Sequence, residues 1–214
     1  MSFHALRDDT GIHLVDAGFV GARSRFAREL KRHGWEHQPI RGILITHGHL
    51  DHILNVARLA EEYGAWIAAP ALDASHYAGT AIYQGWAKVA GLLETFGKPM
   101  LGFRPFRPDR LLHDGDEIPV WHGLRAIHLP GHTAGHMGYY CGKLRLLFSA
   151  DLFASYGKFS HLPPRIFNAT PAEIPASFRK ALALDLDGVL PNHADRATPA
   201  VHLERLKTLA ASLS

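Results

Sequence analysis

Four side chains able to hold a divalent metal ion fall within six positions, His47, His49, Asp51 and His52, directly after the apolar run Ile43-Leu44-Ile45. Neutral imidazole nitrogen and carboxylate oxygen are the donors that zinc, manganese and iron accept. A loop leaving a strand can aim alternate side chains at one point, so His47 and His49 can converge on one ion. Asp51 and His52 stand at the start of an expected helix running to about Tyr63, from which they can face a second ion close to the first. So dense a set of polar groups wastes burial unless something binds it.

Two ions need further donors, and three other apolar runs end in them. Residues 124–129 lead into Pro130-Gly131-His132-Thr133-Ala134-Gly135-His136, residues 144–148 into Ser149-Ala150-Asp151, and residues 188–190 into Pro191-Asn192-His193-Ala194-Asp195. Each reads as a strand followed by a ligand-bearing turn, as when several strand ends share one edge of a layered α/β domain. Taken singly, His136 also suits a structural hydrogen bond, and Asp151 or Asp195 a helix cap or turn.

In this order the H-x-H-x-D-H turn, the P-G-H-T-x-G-H turn, Asp151 and His193 resemble the metallo-β-lactamase fold superfamily, over nearly the whole chain from Asp16 to His193. The resemblance implies an α/β fold, the four-layer αββα sandwich, and two divalent metal ions, zinc first, with iron or manganese as alternatives. His47, His49 and His132 match the ligands of the first ion, Asp51, His52 and His193 those of the second, and Asp151 the bridging carboxylate. Asp16, in Leu14-Val15-Asp16-Ala17-Gly18, matches a residue that supports the metal loop from behind, and His136 a structural histidine. The implied chemistry is a metal-bridging hydroxide, oriented by Asp51, that cleaves a small ester, thioester or lactone. Two departures stand out: Pro-Asn-His-Ala-Asp replaces the frequent Pro-Gly-His-Gly, and the opening strand or strands of many relatives are expected to be absent. In that case either the first sheet is smaller or its edge is covered by a partner chain.

Gly157-Lys158-Phe159 looks like a segment of glyoxalase II in which the basic residue helps hold glutathione, so Lys158 is a candidate substrate contact, although Ser160 replaces an aromatic residue and no counterpart of that enzyme's C-terminal helical domain is expected. The segment from about 73 to 109 carries the least family pattern and much of the aromatic content, including Tyr77, Tyr83 and Trp86. It is expected to be a helical, aromatic insertion that supplies substrate contacts or a homodimer contact, since variable loops beside a fixed centre carry specificity. Three other activities compete. A mononuclear iron persulfide dioxygenase of the same fold would use His47, His132 and Asp151, a nuclease-type relative would cleave phosphodiesters, and a non-catalytic protein would keep the metal for stability.

The elements that must position these residues follow from periodicity. Strands are expected near 3–7, 12–15, 40–45, 65–68, 117–120, 124–129, 137–141, 144–148 and 188–191, with helices near 21–33, 52–63, 171–184 and 199–212 and a helical stretch at 71–97. With 214 residues, 47% hydrophobic, the chain fits one domain, 1–214. Its net charge of +3 and pI near 9.1 argue little for nucleic acid, and the basic residues at 23–32 read as the solvated face of a helix. No apolar run reaches membrane-spanning length and no signal-peptide core stands at the N-terminus. One cysteine, Cys141, excludes an internal disulfide and reads as a packed residue. A cytoplasmic protein acting on an anionic or carbonyl-containing small molecule, without membrane or nucleic-acid partners, is the expectation.

Overall fold

The computed structural model describes residues 2–81, 83, 87–157 and 159–213; Trp86 and Lys158 lie outside them. The first sheet is ordered β1 (His4–Asp8), β2 (Gly11–Val15), β3 (Ile40–Leu44), β4 (Trp66–Pro70), β5 (Arg110–Leu112). β1 and β2 form an antiparallel hairpin, and β2 to β5 run parallel. The second sheet is built from β6 (Glu117–Ile118), β7 (Leu124–His128), β8 (Met137–Cys141) and β9 (Leu146–Ala150), antiparallel, with β12 (Gly188–Pro191) added parallel to β9. A separate hairpin joins β10 (Ala154–Tyr156) to β11 (Phe159–His161).

The strands are apolar on both faces, as strands covered on both sides must be. Successive residues therefore feed different cores. Val15, Leu44 and Ala68 meet Ala126, Tyr139 and Phe148 between the two sheets. Their neighbours Leu14, Ile43 and Ile67 turn outward under Phe26 and Leu30 of α1 (Ala22–His33) and Val56 and Leu59 of α3 (Val56–Tyr63). On the other side Ile127, Leu147 and Val189 pack beneath Phe178 of α6 (Ile174–Leu182) and Leu203 and Leu206 of α7 (Pro199–Ala211). The result is the expected layering of helix, sheet, sheet and helix.

Several elements differ from the sequence reading. The helix expected over 52–63 is two, α2 (Leu50–Ile53) and α3, separated at Leu54 and Asn55. There Asn55 turns its amide to the carbonyls of Ala17, Gly18 and Phe19 at 3.1, 2.9 and 3.0 Å, tying this break to the loop after β2. The stretch expected to be helical over 71–97 contains a 3-10 turn (Ala71–Asp73), α4 (Ala74–Tyr77) and, after a gap, α5 (Lys88–Met100). β5, β10 and β11, three residues each, were not expected, and the helix expected from 171 begins as a 3-10 turn before α6. Among the described residues no helix is long and apolar enough to cross a membrane.

Polar contacts also pin the two sheets together: the Met137 amide donates to the carbonyl of Thr46, and the buried Tyr139 hydroxyl on β8 to the carbonyl of Ile45, just beyond β3. Tyr139→Phe leaves that buried carbonyl without this donor and is expected to cost about 1–3 kcal/mol in chemical denaturation, with the secondary structure unchanged by circular dichroism.

Candidate metal centre

Every strand that carries a proposed ligand delivers it at the same edge of the sandwich. The loop between β3 and α2 holds His47 and His49, α2 holds Asp51 and His52, the β7–β8 turn holds His132, the end of β9 holds Asp151 and the end of β12 holds His193. Three sets of side chains each bring one ligand atom apiece within 4.8 Å of one another: His47, His49 and His132; His47, His52 and Asp151; Asp51, His52 and His193. All seven expected ligands are therefore in one cluster. Asp151 lies in its middle, with Oδ2 at 3.2 Å from His193 Nε2 and 3.6 Å from His132 Nε2, and Oδ1 at 3.4 Å from His52 Nε2.

Hydrogen bonds behind the rings fix which nitrogen faces the cluster. The Thr46 hydroxyl lies 2.8 and 3.0 Å from the two Asp16 oxygens, which only accept, so its proton goes there and it accepts from His47 Nδ1 at 3.0 Å. His47 Nε2 is thereby left as a lone pair facing inward. His132 Nδ1 donates to Asn168 Oδ1 at 3.0 Å and His52 Nδ1 to Asp16 Oδ2 at 2.8 Å. His136 is different: Nδ1 donates to the Leu129 carbonyl and Nε2 accepts from the Asp151 amide, at 2.9 and 3.1 Å. Both of its nitrogens are occupied, and it braces the turn that presents Asp151, where Ala150 adopts a left-handed φ of 48°.

The electrostatics divide the cluster. Burial, reinforced by neighbouring imidazoles, holds His47 and His49 well below the ordinary histidine range. Burial also lowers His132, and pushes His136 down to about 3. Burial opposes charge on His52 as well, but the carboxylates of Asp151, Asp51 and Asp16 outweigh it and raise that ring well above its usual range. The same opposition is overcome at His193, which hydrogen bonds to Asp151 and Asp51 lift to about 9. Desolvation works against the charge of Asp151, yet the facing His52 holds its carboxyl well below the usual carboxylate range.

Whether these residues fit a metal is tested by the atoms left over. His47 Nε2, His52 Nε2 and Asp151 Oδ1 are buried and make no hydrogen bond. Buried polar atoms of this kind are rare unless something absent from the polypeptide satisfies them. Divalent cations accept these donors, so the residues present fit the group.

Sequence reasoning missed three supporting residues. Asp73, fully buried, accepts from Gly48 N at 2.9 Å and Thr133 Oγ1 at 2.7 Å through Oδ2, and from Gly135 N at 2.7 Å through Oδ1. It clamps the loop of His47 and His49 to the turn of His132. The approach is so close that a Cβ on Gly135 would lie 2.7 Å from Asp73 Oδ1. Asn192, in the departure from Pro-Gly-His-Gly, sends its amide to Asp16 Oδ2 at 2.5 Å. Glu94 of α5 accepts from the Leu50 amide at 3.2 Å and the Tyr83 hydroxyl at 2.6 Å. The glycines at 48 and 135 signal close approach by something, and no pattern in the chain says that at Gly135 it is Asp73 and at Gly48 the side chain of His76. Of the residues expected to touch substrate, Tyr77 is fully buried in the core, stacked on Phe106 with its hydroxyl on the Pro70 carbonyl. Tyr83 stands behind Glu94.

A family model for the metallo-beta-lactamase superfamily matches residues 4–193. The chain belongs to that superfamily. It is 31% identical over 184 residues to a hydroxyacylglutathione hydrolase of Chelativorans sp. (strain BNC1), covering 85% of this chain and 57% of that protein. The chain spans about half the length of the curated relatives it matches. Among solved structures, a metallo-beta-lactamase family protein from Thermus thermophilus superposes with a TM-score of 0.75 at 20% identity, over 99% of this chain and 73% of that one. Another, solved in a di-iron-bound form, gives 0.69 at 24% identity over 94% and 91%. Likeness at this level of identity speaks for the superfamily fold.

Asp73→Asn keeps the shape but turns an amide group toward one of the three donors. It is expected to lower zinc affinity about 10- to 100-fold in chelator competition, because a group behind the ligands sets their aim. Loss of stability of about 1–3 kcal/mol should accompany it.

Proposed function

We propose that the chain is a dinuclear metal-dependent hydrolase that cleaves a small ester, thioester or lactone. The observation that carries this reading is the convergence of seven ligand-type side chains on one edge of the sandwich, with buried nitrogen and oxygen atoms that have no hydrogen-bond partner. Superfamily membership, the name of the hydroxyacylglutathione hydrolase relative and the di-iron-bound neighbour support it.

In this reading His47, His49 and His132 would hold one ion and Asp51, His52 and His193 the other, with Asp151 within reach of both sets. When bound, the ions supply Lewis acidity and bring the pKa of water from about 15.7 toward about 7. The protein's part is to orient and to move protons. Asp51, a third exposed at the floor of a cavity, is the carboxylate placed to orient the attacking water and receive its proton. Asp16 keeps His52 in the tautomer that offers Nε2, and Asn168 does the same for His132. No serine or cysteine nucleophile is needed, and Cys141 is buried in the core.

Zinc is the metal of this proposal, with iron or manganese compatible with the same nitrogen and oxygen donors. The reading extends to one domain over 1–214, a cytoplasmic location and a small carbonyl-containing substrate contacted by the segment 73–109. That segment also carries the exposed stripe Val89, Leu92, Phe96 and Met100 of α5, which supports the homodimer expectation.

Protein purified without added metal is expected to hold close to two ions per chain by elemental analysis. His49→Ala and Asp151→Ala should each lower hydrolysis of activated esters and thioesters by at least about 100-fold while the circular dichroism spectrum stays the same. One iron per chain, or retained activity in both variants, would overturn the proposal.

A further inference from the structure

The cluster forms the floor of a cavity of about 530 Å³, within the usual size of a small-molecule site. What stands above the floor is nearly all hydrocarbon. One wall is a face of α5, Ala90, Leu93 and Gly97, recurring at helical spacing, and Phe153, Pro163 and Phe167 add further apolar surface. Apart from the ligand-type residues, the polar lining residues among those described are Glu94, Tyr156 and His161, and of these only Glu94 bears a full charge. The Glu94 carboxylate is already engaged by the Leu50 amide, the Tyr83 hydroxyl and the Lys98 ammonium, the last at 3.0 Å. His161 Nδ1 is held by the Leu162 carbonyl at 2.8 Å. No lysine or arginine lines the cavity among the described residues.

This composition discriminates between carriers of the scissile carbonyl. Glutathione brings two carboxylates, an ammonium and two peptide groups, and against these walls the two carboxylates would lose water without meeting a cation among the described residues, with only the Tyr156 hydroxyl and His161 Nε2 left to hydrogen-bond. An aliphatic or aromatic group would lose only unfavourable hydration.

We propose that this cavity binds the apolar acyl or alkyl part of the substrate, so that a hydrocarbon group, and not glutathione or another polyanionic carrier, delivers the carbonyl to the cluster. The inference rests on the hydrolase reading and narrows its substrate class. Gly97 gives it a handle. A Cβ there would meet only Leu50 Cδ2, at an ordinary 3.5 Å, so a longer side chain at this position would grow into the cavity. Replacing a glycine within a helix also favours the helix.

The test uses the zinc-loaded full chain and acyl thioesters of N-acetylcysteamine, a neutral carrier, from acetyl to decanoyl, beside glutathione thioesters of the same acyl groups. Wild-type kcat/KM is expected to rise about fourfold for each added methylene until the cavity is full. The neutral thioester should be preferred over the glutathione thioester of equal chain length. Gly97→Leu should cut the octanoyl-to-acetyl ratio of kcat/KM tenfold or more. Leu93→Glu, at an exposed position where folding is not at stake, should cut it as well. Calorimetric titration with the uncleavable S-octyl-N-acetylcysteamine thioether, with and without zinc, reads the cavity apart from the chemistry and should weaken in the same variants. A ratio independent of chain length, a preference for glutathione thioesters, or variants that leave both readouts unchanged would overturn the inference. Thioether binding that depends on chain length and on Gly97, without hydrolysis of any ester or thioester by the two-zinc protein, would remove the hydrolase reading and keep the cavity's ligand class.

Discussion

A buried carboxylate that stands behind the ligand-type residues holds the cluster together. Asp16 is fully enclosed, and an anion there is tolerable only if donors surround it. They come from three separate parts of the chain: the amide and hydroxyl of Thr46, Nδ1 of His52 and the side-chain amide of Asn192. The end of β2, the loop after β3, α2 and the end of β12 are thus drawn to a single point. The backbone of Asp16 itself adopts φ 65°, a left-handed conformation that aspartate tolerates better than most side chains, and the four donors hold it there.

Asp73 does the corresponding work on the other side. Asp16 joins the first sheet to the last strand, and Asp73 joins the first ligand loop to the β7–β8 turn. Between them they cross-link both sheets at the edge where the ligand-type residues gather, while the Tyr139 hydroxyl does so in the core. The cluster is rigid because its supports are buried acceptors with several donors each, a geometry that rotation of a single side chain cannot relax.

The cluster residues were legible in the chain because they sit in short turns of unusual composition, each at the end of an apolar run. The layering was legible because strands covered on both faces are continuously apolar. What could not be read depends on contacts distant in sequence. Asp73 acts on Gly48 and Gly135, far away on either side, and nothing local distinguishes it from a turn aspartate. Asn192 was visible as a departure from a pattern, but its reach to Asp16 needed the fold. Strands of three residues, such as β5 and β10, are too short for alternation to register. Tyr77 and Phe106 show the same limit for aromatics: helical spacing does not tell a core ring from a cavity wall.

The position of Asp73 in the chain has a consequence for how this scaffold can diversify. It stands at the first turn of the segment that ends in β5 and includes the α5 wall, so the clamp and the wall are adjacent in sequence yet separable. An exchange of residues 79–108 from another protein would renew the wall, give up the Glu94 contact to the Leu50 amide, and leave every bond from Asp73 to Gly48, Thr133 and Gly135 in place. An exchange that reached back to Asp73 would release both ligand loops from each other at once. The boundary between a replaceable cassette and an immovable chassis therefore falls at the end of α4.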